Sequence, residues 1–295
     1  MKYAVEKTTL FDVTTFPIEN SLEIWVSWRR DSRKAKGSTM TVDTSRNDDE
    51  TLERLPGGSV VVLQKRDGYR FSIDAVLLAG FVRLKRADRA AELGSGSGIV
   101  SLLLAARYQS ALITGFEIQD EMTDMANRSA ALNGLEKRTT FIAVDVRTVR
   151  KHCGAESFDV VFFNPPYRKS GSGRVNPQER KAAARHELHG TIDDFLESAA
   201  FLLKAKGRLY AIYPAERSVT LLSGLRTRRI EPKKLRFVHS FAQSAASFVL
   251  VEAIKGAGEE LRVEPPLIIY ESPGVYAAEV SSIFNGKNVR NANGE

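Results

Sequence analysis

From Leu55 to Tyr270 short apolar runs alternate with longer segments of helical period, which predicts an α/β fold. Ser59-Val-Val-Val-Leu-Gln64 is β-branched and apolar, Asp67-Gly68 is a turn signal, and Tyr69–Ser72 resumes an extended pattern, so a small β-hairpin is predicted over 59–72. A helical run covers Ala75–Leu84, with Asp74 before it as N-cap. Next, a short strand through Glu92 opens by way of Gly94-Ser-Gly96-Ser-Gly98 into a helix over Ile99–Arg107. Strands follow at Ala111–Glu117, Thr139–Asp145, Phe158–Phe163 and Gly207–Tyr213, with helices at Glu121–Asn133, Ile192–Lys204 and Ala215–Arg226. Leu235–His239 and Ser247–Ile254 complete about seven strands. The segment joining them is too short for a crossover helix, so the last strand is predicted antiparallel in a mostly parallel sheet.

Three stretches stand outside this pattern. In residues 1–50, Phe16–Ile18 and Leu22–Trp28 suit a short strand, whereas Arg29–Glu50 is polar and charged and predicts a poorly ordered extension. Met40 offers itself as the true start. Arg168–Gly190 is a long polar loop, with a helical stretch at Ala182–His186. At the end, 265–270 is apolar enough to pack back on a domain spanning 55–270, and 271–295 reads as a tail frayed beyond Phe284.

Composition narrows the classes. The 295 residues are 43% hydrophobic and 27% charged, ordinary for a globular protein, and the longest apolar runs are too short to span a bilayer. There is no basic segment leading into an apolar one at the N-terminus, and the single cysteine, Cys153, forbids an intrachain disulfide; both point to the cytoplasm. Four scattered histidines and one cysteine make no zinc cluster, so no metal is expected. The net charge of +7 points to an anionic partner. One basic cluster holds Lys169, Arg174, Arg180, Lys181 and Arg185; a second holds Arg226, Arg228, Arg229, Lys233, Lys234 and Arg236. Both read as phosphate-contacting surface.

The chemistry concentrates where the Phe158–Phe163 strand ends in Asn164-Pro165-Pro166-Tyr167. Two prolines turn the chain out of the sheet and leave backbone acceptors without donors. Asn164 adds an amide and Tyr167 a flat aromatic face, a combination suited to a planar substrate carrying an NH2 group. In an open parallel sheet ligands sit beyond the carboxyl ends of the strands, so Glu92, Glu117, Asp145 and Asn164 are expected on one rim. With Ile at position 99, the glycine turn departs from the dinucleotide fingerprint, and Glu92 beside it favours a cationic ligand with an amino acid moiety. Glu117, nineteen residues past Gly98, suits ribose hydroxyls.

Glu92–Gly98, Glu117, Asp145 and Asn164–Tyr167 together resemble a Rossmann-like class I methyltransferase dependent on S-adenosylmethionine. Gly68–Ala79 and the segment from Arg168 through Ala184-Arg-His-Glu-Leu-His189 are similar to a narrower family, the bacterial tRNA adenine-N6 methyltransferases. Its members modify the adenine beside the anticodon of a valine tRNA. The resemblance implies that Gly94, Gly96 and Gly98 surround the methionine part of the cofactor, with Glu92 near its ammonium and Asp74 as a further contact. Glu117 would take the ribose and Asp145 the adenine amino group. Asn164 and the Pro165 carbonyl would hold the target NH2 and Tyr167 would stack on the target base, with Pro166, Lys169, Arg174 and Arg185 on the substrate side. The catalytic motif is shared with protein glutamine methyltransferases, which keeps glutamine N5-methylation as an alternative. A non-catalytic RNA-binding module on the same fold is a second.

Overall fold

The computed structural model describes residues 47–55, 60–67, 72–165 and 190–286. Its first element is a hairpin of β1 (Glu50–Arg54) and β2 (Val61–Lys65), paired antiparallel. The partner of the apolar 59–64 run therefore lies upstream, in a segment the sequence assigns to a polar extension. Of the expected partner, Tyr69–Ser72, Ser72 is the N-cap of the following helix and the rest lies outside the described residues, as do Phe16–Ile18, Leu22–Trp28 and Met40. Order begins before Leu55: Glu50 is buried, and its carboxylate takes two hydrogen bonds from the Arg128 guanidinium (2.8 and 2.5 Å). A charged strand is held there by an ion pair with a residue far along the chain.

The main sheet contains β3 (Arg89–Leu93), β4 (Leu112–Glu117), β5 (Thr139–Ala143), β6 (Phe158–Phe163), β7 (Leu203–Pro214), β8 (Ile230–His239) and β9 (Ala246–Lys255). Their spatial order is β8-β9-β7-β6-β3-β4-β5, with β9 antiparallel to both neighbours and the other pairs parallel. Two short strands, β10 (Arg262–Val263) and β11 (Leu267–Ile268), add parallel to β8 as a broken edge and bring the count to nine. This is the expected Rossmann-like methyltransferase sheet with an edge extension too short to read from sequence.

Both faces of the sheet are covered, and the strands separate their side chains accordingly. Val160 and Phe162 join one core, Val161 and Phe163 the other; Tyr210 and Ile212 alternate with Leu209, Ala211 and Tyr213 in the same way. This period of two explains why β6 and β7 read as continuous apolar runs. The first core also takes residues of α1 (Ile73–Phe81) and α2 (Ile99–Arg107), with α3 (Asp120–Leu132) beside them. The second takes α4 (Ile192–Leu202) and α5 (Ser218–Thr227). Helix α1 stops short of the expected Leu84 because Val82 is extended, and the Arg83 guanidinium donates to the carbonyls of Gly80, Phe81 and Val82. Its N-cap position is Ser72, not Asp74: the Asp74 carboxylate sits in the first turn and accepts from Ala75 N–H and from the Ser72 hydroxyl.

Residues 271–286 are more than a tail. After β12 (Tyr270–Ser272) and β13 (Val275–Tyr276), α6 (Ala278–Phe284) buries Val280, Ile283 and Phe284 in the first core. Arg236, buried on β8, fixes it with two 2.8 Å hydrogen bonds to the Glu279 carboxylate and a third to Pro265 O.

Candidate active site

The parallel strands direct their carboxyl ends to one rim, and the glycine turn between β3 and α2 forms its centre. Gly94, Gly96 and Gly98 all have positive φ (67°, 54° and 77°), the left-handed region that glycine enters without strain. Gly98 is also demanded by packing, since a Cβ there would lie 2.5 Å from the Phe141 ring. Gly96 is different: the nearest atom to a Cβ would be Met122 Cε at 3.9 Å, so its surface is open. The Gly94 and Ser95 N–H groups both donate to Phe116 O, which anchors the turn to the end of β4.

Glu117, buried at that strand end, accepts from Gly96 N–H (2.8 Å), Gln119 N–H (3.0 Å) and the Gln119 Nε2 amide (3.4 Å). A carboxylate has about four acceptor positions, so acceptor capacity remains for a ribose hydroxyl. Glu92 is 2% exposed and faces α2, where Ser101 donates to it from both its backbone N–H and its hydroxyl. Burial pushes the Glu92 carboxyl up to about 8, against the Ser101 hydrogen bonds and with a smaller push from the Glu117 charge. Ser101 escapes the sequence reading; its signal is a hydroxyl inside the apolar Ile99–Ala106 run. Asp145 caps the 3-10 turn Val146–Lys151, and both its oxygens accept from the Arg147 side chain at 2.5 to 2.9 Å. The structure thus gives Asp145 a capping and ion-pairing role that competes with the one expected for it.

Across β6 the rim changes character. Asn164 follows directly on Phe163, and its Oδ1 is buried with no hydrogen-bond partner among the described residues. Pro165, also buried, follows it and has no N–H to offer. A second orphan, Ser95 Oγ, belongs to the glycine turn. Pro166, Tyr167, Lys169, Arg174 and Arg185 lie outside the described residues, as does Ala182–His186.

In the second basic cluster every cation but the exposed Arg229 is engaged in the contacts that follow. Arg226 pairs with Glu231 and Glu259, Arg228 with Asp193 and Glu197, Lys234 with Glu252 and Arg236 with Glu279, while Lys233 donates to the Gly258 and Glu259 carbonyls. Counting charges along the chain overlooks the acids that folding brings to them. Among the described residues no group of three or more His, Cys, Asp or Glu is placed to hold a metal ion, and no helix is long and apolar enough to cross a membrane.

An open glycine turn, a buried carboxylate with acceptor positions to spare and two orphaned buried oxygens fit a nucleoside-like donor with a planar acceptor beside it. Comparison with known proteins agrees. The methyltransferase small domain family model matches residues 71–220. A tRNA1(Val) (adenine(37)-N6)-methyltransferase of Porphyromonas gingivalis is 27% identical over 71% of this chain and 85% of its own length. Proteins of that name from Dyadobacter fermentans (25% identical, 72% of this chain, 88% of theirs) and Shewanella woodyi (26%, 74% and 92%) are similar to the same extent. Among solved structures, one described as a predicted O-methyltransferase from Agrobacterium tumefaciens superposes with a TM-score of 0.61 at 27% identity, over 73% of this chain and 97% of that one. The chain belongs to the methyltransferase small domain family and is an S-adenosylmethionine-dependent methyltransferase.

Proposed function

We propose that this enzyme methylates the exocyclic N6 amine of an adenine in tRNA, at the position beside the anticodon. The observation that carries the reading is the buried, unpartnered Oδ1 of Asn164 at the end of β6. An acceptor left unsatisfied inside a protein costs about 1–3 kcal/mol, so a site that retains one has a use for it. An adenine amine supplies the missing donor. The names of the relatives from Porphyromonas gingivalis, Dyadobacter fermentans and Shewanella woodyi support adenine 37 of tRNA1(Val) in particular.

The cofactor supplies an electrophilic methyl group; the chain's own residues do the rest. Gly94, Gly96 and Gly98 receive the donor's amino-acid part, and Glu117 holds the ribose with the acceptor positions that Gly96 and Gln119 leave free. The target nitrogen is a poor nucleophile because its lone pair is delocalised into the ring. Asn164 Oδ1 and the Pro165 carbonyl accept its two hydrogens, which turns that lone pair out of the ring plane. The same two oxygens stabilise positive charge growing on nitrogen in the transition state. Tyr167 stacks on the base and keeps it aligned for in-line transfer. The base must leave its stack to enter, which is cheapest in a single-stranded loop such as the anticodon loop. A tRNA substrate also supports a cytoplasmic enzyme.

Glutamine N5-methylation is the rival that one observation favours. With the Arg226–Arg236 cluster paired internally, RNA contact falls to the basic 168–185 segment, and a protein substrate needs less phosphate-contacting surface. The test is transfer of labelled methyl to unmodified tRNA and, separately, to release-factor protein, with nucleoside mass spectrometry of the RNA. N6-methyladenosine is the expected product, and label on protein glutamine would overturn the reading.

A further inference from the structure

One buried group has no part in this scheme. Gln64 is 1% exposed, and neither its Oε1 nor its Nε2 has a hydrogen-bond partner among the described residues. Buried side-chain amides nearly always find partners, and here both ends are unmet. Nothing local requires the residue: Gln64 ends an apolar strand, where another aliphatic side chain would avoid the penalty.

Its position gives the amide a purpose. Strand β2 is fastened along α3 in reverse direction: Val61 N–H donates to Asn133 Oδ1 (2.8 Å), Leu63 N–H to Ser129 Oγ (2.9 Å), and Lys65 Nζ lies 3.7 Å from Glu121. Gln64 is therefore level with the middle of α3, about Ala126 and Asn127. That part of α3 borders the glycine turn: Ala126 Cβ is 3.1 Å from where a Gly98 Cβ would lie, and Met122, one turn earlier, is the side chain nearest to Gly96. By the strand period of two, Gln64 shares the face of Val62, which joins the core that includes Ile99 and Leu102 of α2. The strand thus carries the amide along α3 toward the side of the helix that packs on the glycine turn.

We propose that Gln64 holds the amino-acid end of S-adenosylmethionine, with Nε2–H donating to the carboxylate and Oε1 accepting from the ammonium. This rests on the cofactor assignment above. A carboxamide offers a donor and an acceptor side by side, as does an α-amino acid zwitterion with the roles reversed. Glu92, the acid expected near the ammonium, is buried against α2 with Ser101 donating twice to its Oε2, and the Gln64 carboxamide would give the ammonium a further acceptor. Ser95 Oγ, the unpartnered hydroxyl of the same turn, completes a neutral polar lining.

The test compares two ligands by calorimetry: S-adenosylhomocysteine, and 5′-methylthioadenosine, which keeps the adenosine and sulfur but lacks the amino-acid end. In Gln64→Met, of similar volume and without the amide, affinity for S-adenosylhomocysteine is expected to fall about tenfold or more, the size of a lost hydrogen bond to a charged group. Affinity for 5′-methylthioadenosine should not change, and the ligand-free variant should melt no lower than wild type, since two unsatisfied groups have been removed. Equal losses on both ligands would mean that Gln64 reads the adenosine or supports the fold, and would overturn the inference. So would no loss on either. Wild-type protein that binds neither ligand would overturn the cofactor assignment itself, an outcome separate from a ligand-independent effect of Gln64.

Discussion

The carboxylates of the rim and its neutral polar groups behave as two different populations. Glu92 is tied to Ser101, Glu117 to Gly96 and Gln119, and Asp145 to Arg147. Asn164 Oδ1, Ser95 Oγ and both ends of the Gln64 amide are buried with no hydrogen-bond partner among the described residues. The acids hold the turn, the strand ends and a 3-10 turn in place, and Glu92 and Glu117 keep acceptor capacity in reserve. The neutral atoms make none of these bonds and are open to a ligand. Charge therefore marks the architecture of this site, and unmet hydrogen bonding marks its chemistry.

If that division holds, changes to the two populations should register in different measurements. The largest effect is expected at Asn164: Asn164→Ala should lower the methyl-transfer rate by about 100-fold or more, the usual loss for one preorganised polar partner, while cofactor affinity stays within about twofold. Single-turnover kinetics alongside cofactor titration separates the two. Next is Arg128→Ala, which removes the guanidinium from the buried Glu50 carboxylate and leaves it the Asn47 hydrogen bonds, and should cost about 3 kcal/mol of stability in a denaturant titration. The Arg128 hydrogen bonds hold the Glu50 carboxyl down at about 2, below its ordinary value of 4.5, so their stabilisation is complete above 4.5 and is lost as pH falls toward 2. The effect of the substitution should shrink over the same window.

Glu92 carries the opposite sign. From its ordinary value of 4.5 to the raised value of about 8, the folded protein keeps a proton that the unfolded chain releases, so its contribution to stability falls as pH rises. Glu92→Gln, fixed in the neutral form, should match wild type near pH 5 and melt progressively higher than wild type up to pH 8. A constant difference across that range would show that Glu92 is charged in the fold. The smallest effect is expected from the second basic cluster. Replacing Arg226 by Ala should leave the salt dependence of tRNA binding unchanged, whereas Lys169→Ala or Arg174→Ala should each reduce its slope by about one.

Local pattern carried most of the fold. Strand β6 and helix α2 stand where their apolar periods place them because the sheet faces demand those side chains. What escaped the pattern depends on distant partners. Glu-Thr-Leu-Glu-Arg at 50–54 reads as a charged linker, yet it is a strand because Arg128 neutralises its first residue. Helix α6 is only seven residues long and owes its place to Arg236 on β8. The site was legible in its positions: Glu92, Glu117, Asp145 and Asn164 all stand at strand ends or just beyond them. Their engagement was not, because Ser101, Arg147 and the acids facing the second basic cluster come into reach only through folding. Gln64 was invisible for a related reason, since a glutamine ending an apolar strand gives no sign of lacking partners.

The most direct test is to measure melting temperature and methyl transfer side by side in Asn164→Leu, which keeps the volume and removes the amide. The cofactor-free variant is expected to melt within about 2 °C of wild type or higher, because an unsatisfied acceptor has gone, while methyl transfer is lost. A variant that melts well below wild type yet still methylates would make Asn164 a structural residue and contradict the account.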